Sequence, residues 1–217
     1  MKLVLFAVLI SSIILAGARA EDPAIAEPSN DTLKMILFSV PDVRQSTNYS
    51  CGAASFQAVL NYWGGQDLRE GAILVMLNVT PQWGTSPDEI VRVARDIGFE
   101  AEFRENLTLE DLEASIKAGV PVIVAAQAWR DEGTSWADDW EDGHYMVVIG
   151  LDEKNVYLED PSLLGSRGFI PRQEFVERWH DCRYEPPSYT SVKKYIFAGI
   201  FIRGKEPAKH PLFMRVD

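Results

Sequence analysis

Apolar positions along the chain follow two different periods, and the change between them divides it. From Cys51 to Trp63 the apolar side chains Phe56, Val59, Leu60 and Trp63 line one face of a helix, and Gly64-Gly65 ends the run. Leu68 to Leu77 carries a second helical pattern. Beyond the polar loop Thr80 to Thr85 a third helix is marked at both ends. Ser86 is its N-cap, Pro87 stands at its first position, Glu89 is placed to close a capping box, and Gly98 stops it after Ile90, Val93, Ala94 and Ile97. Thr108 caps a fourth helix whose inward residues are Leu109, Leu112 and Ile116, with Gly119 at its end. From there the pattern changes. Val120 to Ala126 is a continuous apolar, β-branched run of the kind buried strands carry. His144 to Leu151 and Val156 to Asp160, either side of the polar link Asp152 to Asn155, predict a β-hairpin. Pro171 to Trp179 reads as a short helix with Phe175, Val176 and Trp179 inward, Lys194 to Ile202 as a last strand, and Lys34 to Val40 as extended chain.

Helices gathered early and strands gathered late predict an α+β fold in which N-terminal helices pack on a C-terminal antiparallel sheet. A cleft between the two layers is the natural place for a site.

The chain ends change what is expected of its surroundings. Met1 to Ala20 has Lys2, an apolar run from Leu3 to Ala16, and Ala18-Arg19-Ala20 as a small-x-small cleavage pattern, which together read as a signal peptide. The run is shorter than the ~20 residues a spanning helix needs. Residues 21–33 read as a disordered spacer, 34–204 as one domain, and 205–217 as a C-terminal tail. The expected location is therefore extracellular or periplasmic, with an uncleaved N-terminal anchor as the alternative and no stable membrane insertion after cleavage.

Charge excludes some partners. With 32 acidic and 21 basic residues the net charge is −11. Such a surface repels phosphate backbones and anionic lipids, so nucleic acid is not an expected partner. There is no Gly-rich P-loop, so neither is a nucleotide.

The helix that opens at Cys51 carries the candidate chemistry. A cysteine in a first helical turn points its sulfur at unpaired N–H groups and the positive end of the dipole, which favours thiolate, the nucleophilic form. Gly52 beside it leaves room for a substrate backbone. Gln45 lies on the loop before it. Its amide N–H and the Cys51 backbone N–H would make two donors for a developing oxyanion. A thiolate also needs a proton acceptor. Of the three histidines, His144 opens a rigid apolar strand, with Gly143 clearing space beside it. Asp160 ends the partner strand. A three-residue hairpin turn would set Asp160 opposite Met146, on the same face as His144, where a carboxylate can orient the imidazole; a two-residue turn would turn the pair apart. His180, after Trp179, reads as a cation at a helix end. The competing reading of Cys51 is a disulfide with Cys182, the default for two cysteines in an exported chain.

Taken together, Gln45, Cys51-Gly52-Ala53-Ala54-Ser55, Gly84-Thr85-Ser86, Gly143-His144-Tyr145 and Asp160-Pro161-Ser162 resemble the papain-like cysteine peptidases of the bacteriocin-processing type, whose domain cuts double-glycine leader peptides in front of an exporter. The resemblance spans roughly Phe38 to Ile202. It implies a papain-like peptidase fold, with Gln45 as oxyanion donor, Cys51 as nucleophile, His144 as general acid and base, and Asp160 as its orienter. The exporter-linked relatives carry a transmembrane region and a nucleotide-binding domain, and this chain departs from them in both. The resemblance therefore implies a stand-alone exported cysteine peptidase acting on a peptide or protein. The alternatives are an amidase or transpeptidase on cell-wall or short thiol peptides, and an inert peptide-binding module on the same fold.

One stretch is left over. Trp129 to Asp142 holds three tryptophans and six carboxylates just before His144. The tryptophans are candidates for substrate-stacking walls. Its spacing fits no calcium loop, so a solvated acidic loop over buried tryptophans is favoured. No cofactor and no metal are expected.

Overall fold

A computed structural model describes residues 37–65, 68–184 and 190–209. The expected signal peptide, the spacer and the end of the tail lie outside the described residues. Five α-helices, α1 (Cys51–Tyr62), α2 (Glu70–Met76), α3 (Pro87–Asp96), α4 (Leu109–Lys117) and α5 (Arg172–Arg178), accompany eight strands. These are β1 (Glu100–Arg104), β2 (Val122–Gln127), β3 (Gly143–Leu151), β4 (Asn155–Glu159), β5 (Gly168–Pro171), β6 (His180–Tyr184), β7 (Val192–Ile196) and β8 (Gly199–Arg203). Six strands form one sheet in the order β1-β8-β2-β3-β4-β5, and β6 and β7 form a separate ribbon. Every pairing is antiparallel.

The α+β class and the helix starts are as the sequence implies, but the layer count is larger. β2 and β3 are buried on both faces. Ile123, Ala125, Tyr145, Val147 and Ile149 pack under α1, α2 and α3. Val122, Val124, Ala126, Met146 and Val148 pack with Leu112 of α4 and Phe175 of α5 on the other side. The central strands thus make a middle layer, which is why β2 reads as an unbroken apolar run.

The cap at α3 is half of the expected one. Ser86 Oγ accepts the Glu89 N–H at 3.2 Å. The Glu89 carboxylate is instead taken by Arg92 and Asn78. The reciprocal box occurs at α4, between Thr108 and Asp111.

The expected last strand is two strands. Phe197 takes φ 48°, a left-handed conformation that breaks the run. Its N–H goes to Trp179 O at 3.0 Å, and Trp179 Nε1 donates to Ala198 O at 2.9 Å. The chain so turned sends β7 to the ribbon and β8 into the main sheet.

The β3–β4 hairpin reaches the expected facing by another route. Leu151 pairs with Val156 across a four-residue link, a register that would set Asp160 against Val147. A bulge between Val148 and Gly150 shifts the pairing by one, so that Val147 meets Glu159 and the next step sets Asp160 against Met146. Asp160 therefore faces the same way as His144, and the bulge restores the parity that the link would have lost.

Candidate active site

Cys51 is the first residue of α1 and is half-buried. Its helix start is bare in a way that matters for the sulfur. Ser50, the N-cap, makes no cap hydrogen bond; its hydroxyl is used by Thr47, and the first turn holds no acidic residue. The first N–H groups of α1 and their dipole are thus left to whatever sits at Cys51. One turn further in, the buried Ser55 hydroxyl donates to Tyr145 O at 3.1 Å, which ties α1 to the residue next to His144.

His144 is 2 % exposed, at the start of β3. Its Nε2 lies 2.7 Å from Asp160 Oδ1. With Nε2 so engaged, Nδ1 is the ring nitrogen left to face the Cys51 sulfur, whose proximity favours the charged ring. Burial pushes the imidazole pKa down, but the hydrogen bonds and charges of Asp160 and Cys51 outweigh it and lift the value to about 9. Burial raises Asp160, and its bonds to His144 and to the N–H and hydroxyl of Ser162 more than offset that, holding the carboxyl below its ordinary range. The Trp129 ring lies against the imidazole, tilted by 53° with centroids 5.0 Å apart.

Gln45, in the loop before α1, is tied to the chain just beyond β4. Its backbone N–H donates to Pro161 O at 3.0 Å, and its Nε2 donates to Thr47 O at 2.8 Å, leaving one Nε2 hydrogen over. All four candidates of the sequence reading therefore come from three neighbouring pieces of backbone. Cys51 and Cys182 are both free thiols, so the disulfide reading falls.

Three local readings are corrected. A Cβ at Gly52 would lie 2.7 Å from Thr85 Cγ2 and 3.0 Å from the Tyr145 ring, so this glycine lets the cleft walls close up and does not hold a space open. Gly52→Ala is expected to cost about 1–3 kcal/mol by overpacking. Adding Thr85→Ser, which removes the obstructing methyl and keeps the hydroxyl bond to Leu77 O, should return part of that stability in urea unfolding; equal losses in the single and double variants would refute the clash. Gly143 likewise leaves no empty space, because the Asp181 carboxylate fills it: a Cβ there would lie 2.1 Å from Asp181 Oδ1. His180 is a strand residue and not part of a helix end: it opens β6, is buried, and its Nε2 donates to Asp139 O at 2.6 Å.

The loop before β3 is anchored by its tryptophans only in part. Trp136 stacks between Arg130 and Arg178, Trp140 lies against His180 and Lys194, and Trp129 is half exposed over His144. No cluster of metal-ligating side chains occurs among the described residues. Cavities of about 660 Å³ beside β1 and α4, and about 580 Å³ beside Phe38 and Arg172, contain none of the four candidates.

Residues 38–186 match the model of the Peptidase_C39 like family. The chain belongs to that family. No curated protein matches the sequence. Among solved structures the chain is similar to a C39-like peptidase from Bacillus anthracis (19 % identity, TM-score 0.56, covering 79 % of this chain and 99 % of that one). It is also similar to the peptidase domain of Streptococcus ComA, a bifunctional ABC transporter involved in quorum sensing (20 %, 0.54, 75 % and 97 %). A third is a double glycine motif protease from an AMS/PCAT transporter, solved with its leader peptide (20 %, 0.53, 78 % and 94 %). At such identities the likeness is one of fold.

Proposed function

We propose that this C39-like chain is an active cysteine peptidase, an exported stand-alone enzyme that hydrolyses peptide bonds through a thioester on Cys51. The observation that carries this reading is the buried His144 ring, held at 2.7 Å by Asp160 and close enough to the Cys51 sulfur for that group to raise its pKa. An imidazole with a pKa near 9 is an imidazolium at neutral pH, a suitable partner for a thiolate.

Attack of the sulfur on a peptide carbonyl forms the C–S bond and moves an electron pair to oxygen. The Cys51 N–H and the spare Nε2 hydrogen of Gln45 receive that oxyanion. As it collapses, His144 gives its proton to the leaving amine. The neutral ring then takes a proton from water, which attacks the thioester and frees the acid. Asp160 keeps the ring oriented through both steps. Peptide as the substrate class is supported by the leader peptide held by one structural neighbour.

The test is incubation with a peptide library that includes double-glycine sequences, beside cell-wall fragments, followed by mass spectrometry. Cleaved peptides with a peptidyl adduct on Cys51 are expected, and Cys51→Ala should yield neither. Products from wall fragments alone would move the chain to the amidases, and no product from either would leave a binding module.

A further inference from the structure

We propose that Glu159 is a positioning residue for the oxyanion donor, an assignment that rests on the acyl transfer proposed at Cys51 with Gln45 as that donor. Glu159 ends β4 and is 1 % exposed, yet no step of the chemistry uses it. Its Oε1 accepts the Val43 N–H at 3.1 Å, while Oε2 is buried without a hydrogen-bond partner. Two residues along, Pro161 O accepts the Gln45 N–H at 3.0 Å.

In the tail Glu159-Asp160-Pro161, Glu159 grips the loop at Val43 through its carboxylate, Pro161 grips it at Gln45 through its backbone carbonyl, and Asp160 between them grips His144. A single short segment thus sets the oxyanion donor and the general base relative to each other. The same loop is fastened again further along: Asp42 accepts the Gly165 N–H at 3.1 Å, and the Arg167 guanidinium donates to Val40 O. These outer ties grip Val40 and Asp42, upstream of Gln45. On its downstream side Gln45 is flanked by the Ser46 N–H, which Glu70 Oε1 accepts at 3.1 Å, and on its upstream side the Glu159 bond is the nearest side-chain tie.

A buried carboxylate costs stability, so a neutral side chain would be the cheaper filler here unless the acceptor matters. The groups facing it are Arg167, which favours its charge, and Asp42 and Asp160, which oppose it. Burial is the largest influence, and the carboxyl is lifted to about 7. Across that pH the Val43 N–H bond passes from a neutral to a charged acceptor and tightens.

Two probes of Cys51 separate positioning from folding without a known substrate. p-Nitrophenyl acetate acylates the thiolate through an oxyanion, releasing p-nitrophenolate and leaving an acetyl thioester. Iodoacetamide alkylates the same sulfur by displacement of iodide, with no oxyanion. Adducts are located at Cys51 by peptide mass spectrometry. The ratio of the two rates cancels changes in thiolate content and reads the oxyanion site.

Glu159→Ala is expected to lower that ratio about tenfold, and Glu159→Gln, which keeps an acceptor for Val43, to stay within about twofold of the wild type. In a Gln45→Ala background, Glu159→Ala should change the ratio by less than about twofold. Equal falls in both rates, or the same loss in either background, would overturn the assignment while leaving Gln45 as donor. A Gln45→Ala variant with an unchanged ratio would instead overturn the donor itself, and the role of Glu159 with it. Should Glu159→Ala not fold, the wild-type ratio rising through pH 7 against a flat profile for Glu159→Gln carries the test, and identical profiles refute it.

Discussion

His144→Ala is expected to slow alkylation of Cys51 by iodoacetamide near pH 6 by about a hundredfold. An isolated thiol of ordinary pKa is well under about 1 % thiolate at that pH, whereas a thiol that passes its proton to a neighbouring imidazole is largely ionised. The imidazole here faces the sulfur, and the neighbouring Asp160 and Cys51 raise its pKa to about 9, so it carries its proton at neutral pH. Cys182 provides the internal comparison. Burial raises its thiol, Asp181 adds to that, and its Sγ lies 3.4 Å from Trp140 O, so it should react slowly in every variant. Turnover should fall more than alkylation does, by about 10⁴ or beyond, because His144 also protonates the leaving amine and activates water. Asp160→Asn leaves the ring in place with a weaker and differently protonated partner, and a loss of about 10²–10⁴ in kcat is expected. Equal alkylation of Cys51 and Cys182, or a His144→Ala variant as reactive as the wild type, would refute the pairing.

What could be read from the sequence follows from which interactions are local. Helix starts such as Ser86-Pro87 and Thr108 with Asp111 act within one turn, so they are visible in a short window. The unbroken apolar runs of β2 and β3 are equally plain. β1 and β5 are not, because they are edge strands: Glu-Ala-Glu-Phe-Arg is mostly charged, and Gly-Phe-Ile-Pro ends in a residue that cannot donate. β6 has the sequence of a polar turn and becomes a strand only by pairing with β7. At the site, Cys51, His144 and Asp160 stand out because each sits at the end of an element with a recognisable pattern. The bulge that brings His144 and Asp160 to one face has no such signature. Asp181 and Glu159 were missed for a related reason. Asp181 reaches Gly143 from far along the chain, and Glu159 occupies a strand position where an apolar residue would ordinarily stand. A charged residue in an otherwise apolar strand was the one local signal available.

Those two carboxyls, Glu159 buried and Asp181 half-buried, predict that stability falls as the pH rises through the weakly acidic range, opposite to the usual rise. Burial lifts Asp181 to about 6 and Glu159 to about 7. In the unfolded chain both ionise near pH 4, so between pH 4 and 7 the folded state binds more protons and loses stability as they leave. At about 1.4 kcal/mol per pH unit, the two carboxyls account for roughly 3 and 4 kcal/mol across their windows. Asp160 acts the other way, but its lowered pKa confines that contribution to more acid solutions. His144 taken alone would extend the decline, its proton favouring the fold below pH 6.5 and the benefit fading towards 9. With Cys51 a thiolate facing that imidazolium, however, the folded pair holds one proton where the unfolded pair holds two below about pH 6.5, so the pair offsets one carboxyl's slope there and adds little above it. Urea midpoints should therefore drop between pH 5 and 7.5 and then level. Asp181→Asn and Glu159→Gln should each remove part of that drop and exceed the wild type in stability at pH 8, since neither buries a charge. A wild-type midpoint that climbs over the same range would refute the account. Both carboxyls adjoin the backbone that sets His144, one beneath Gly143 and one beside Asp160, so the molecule is least stable at the pH where the site holds both of them ionised.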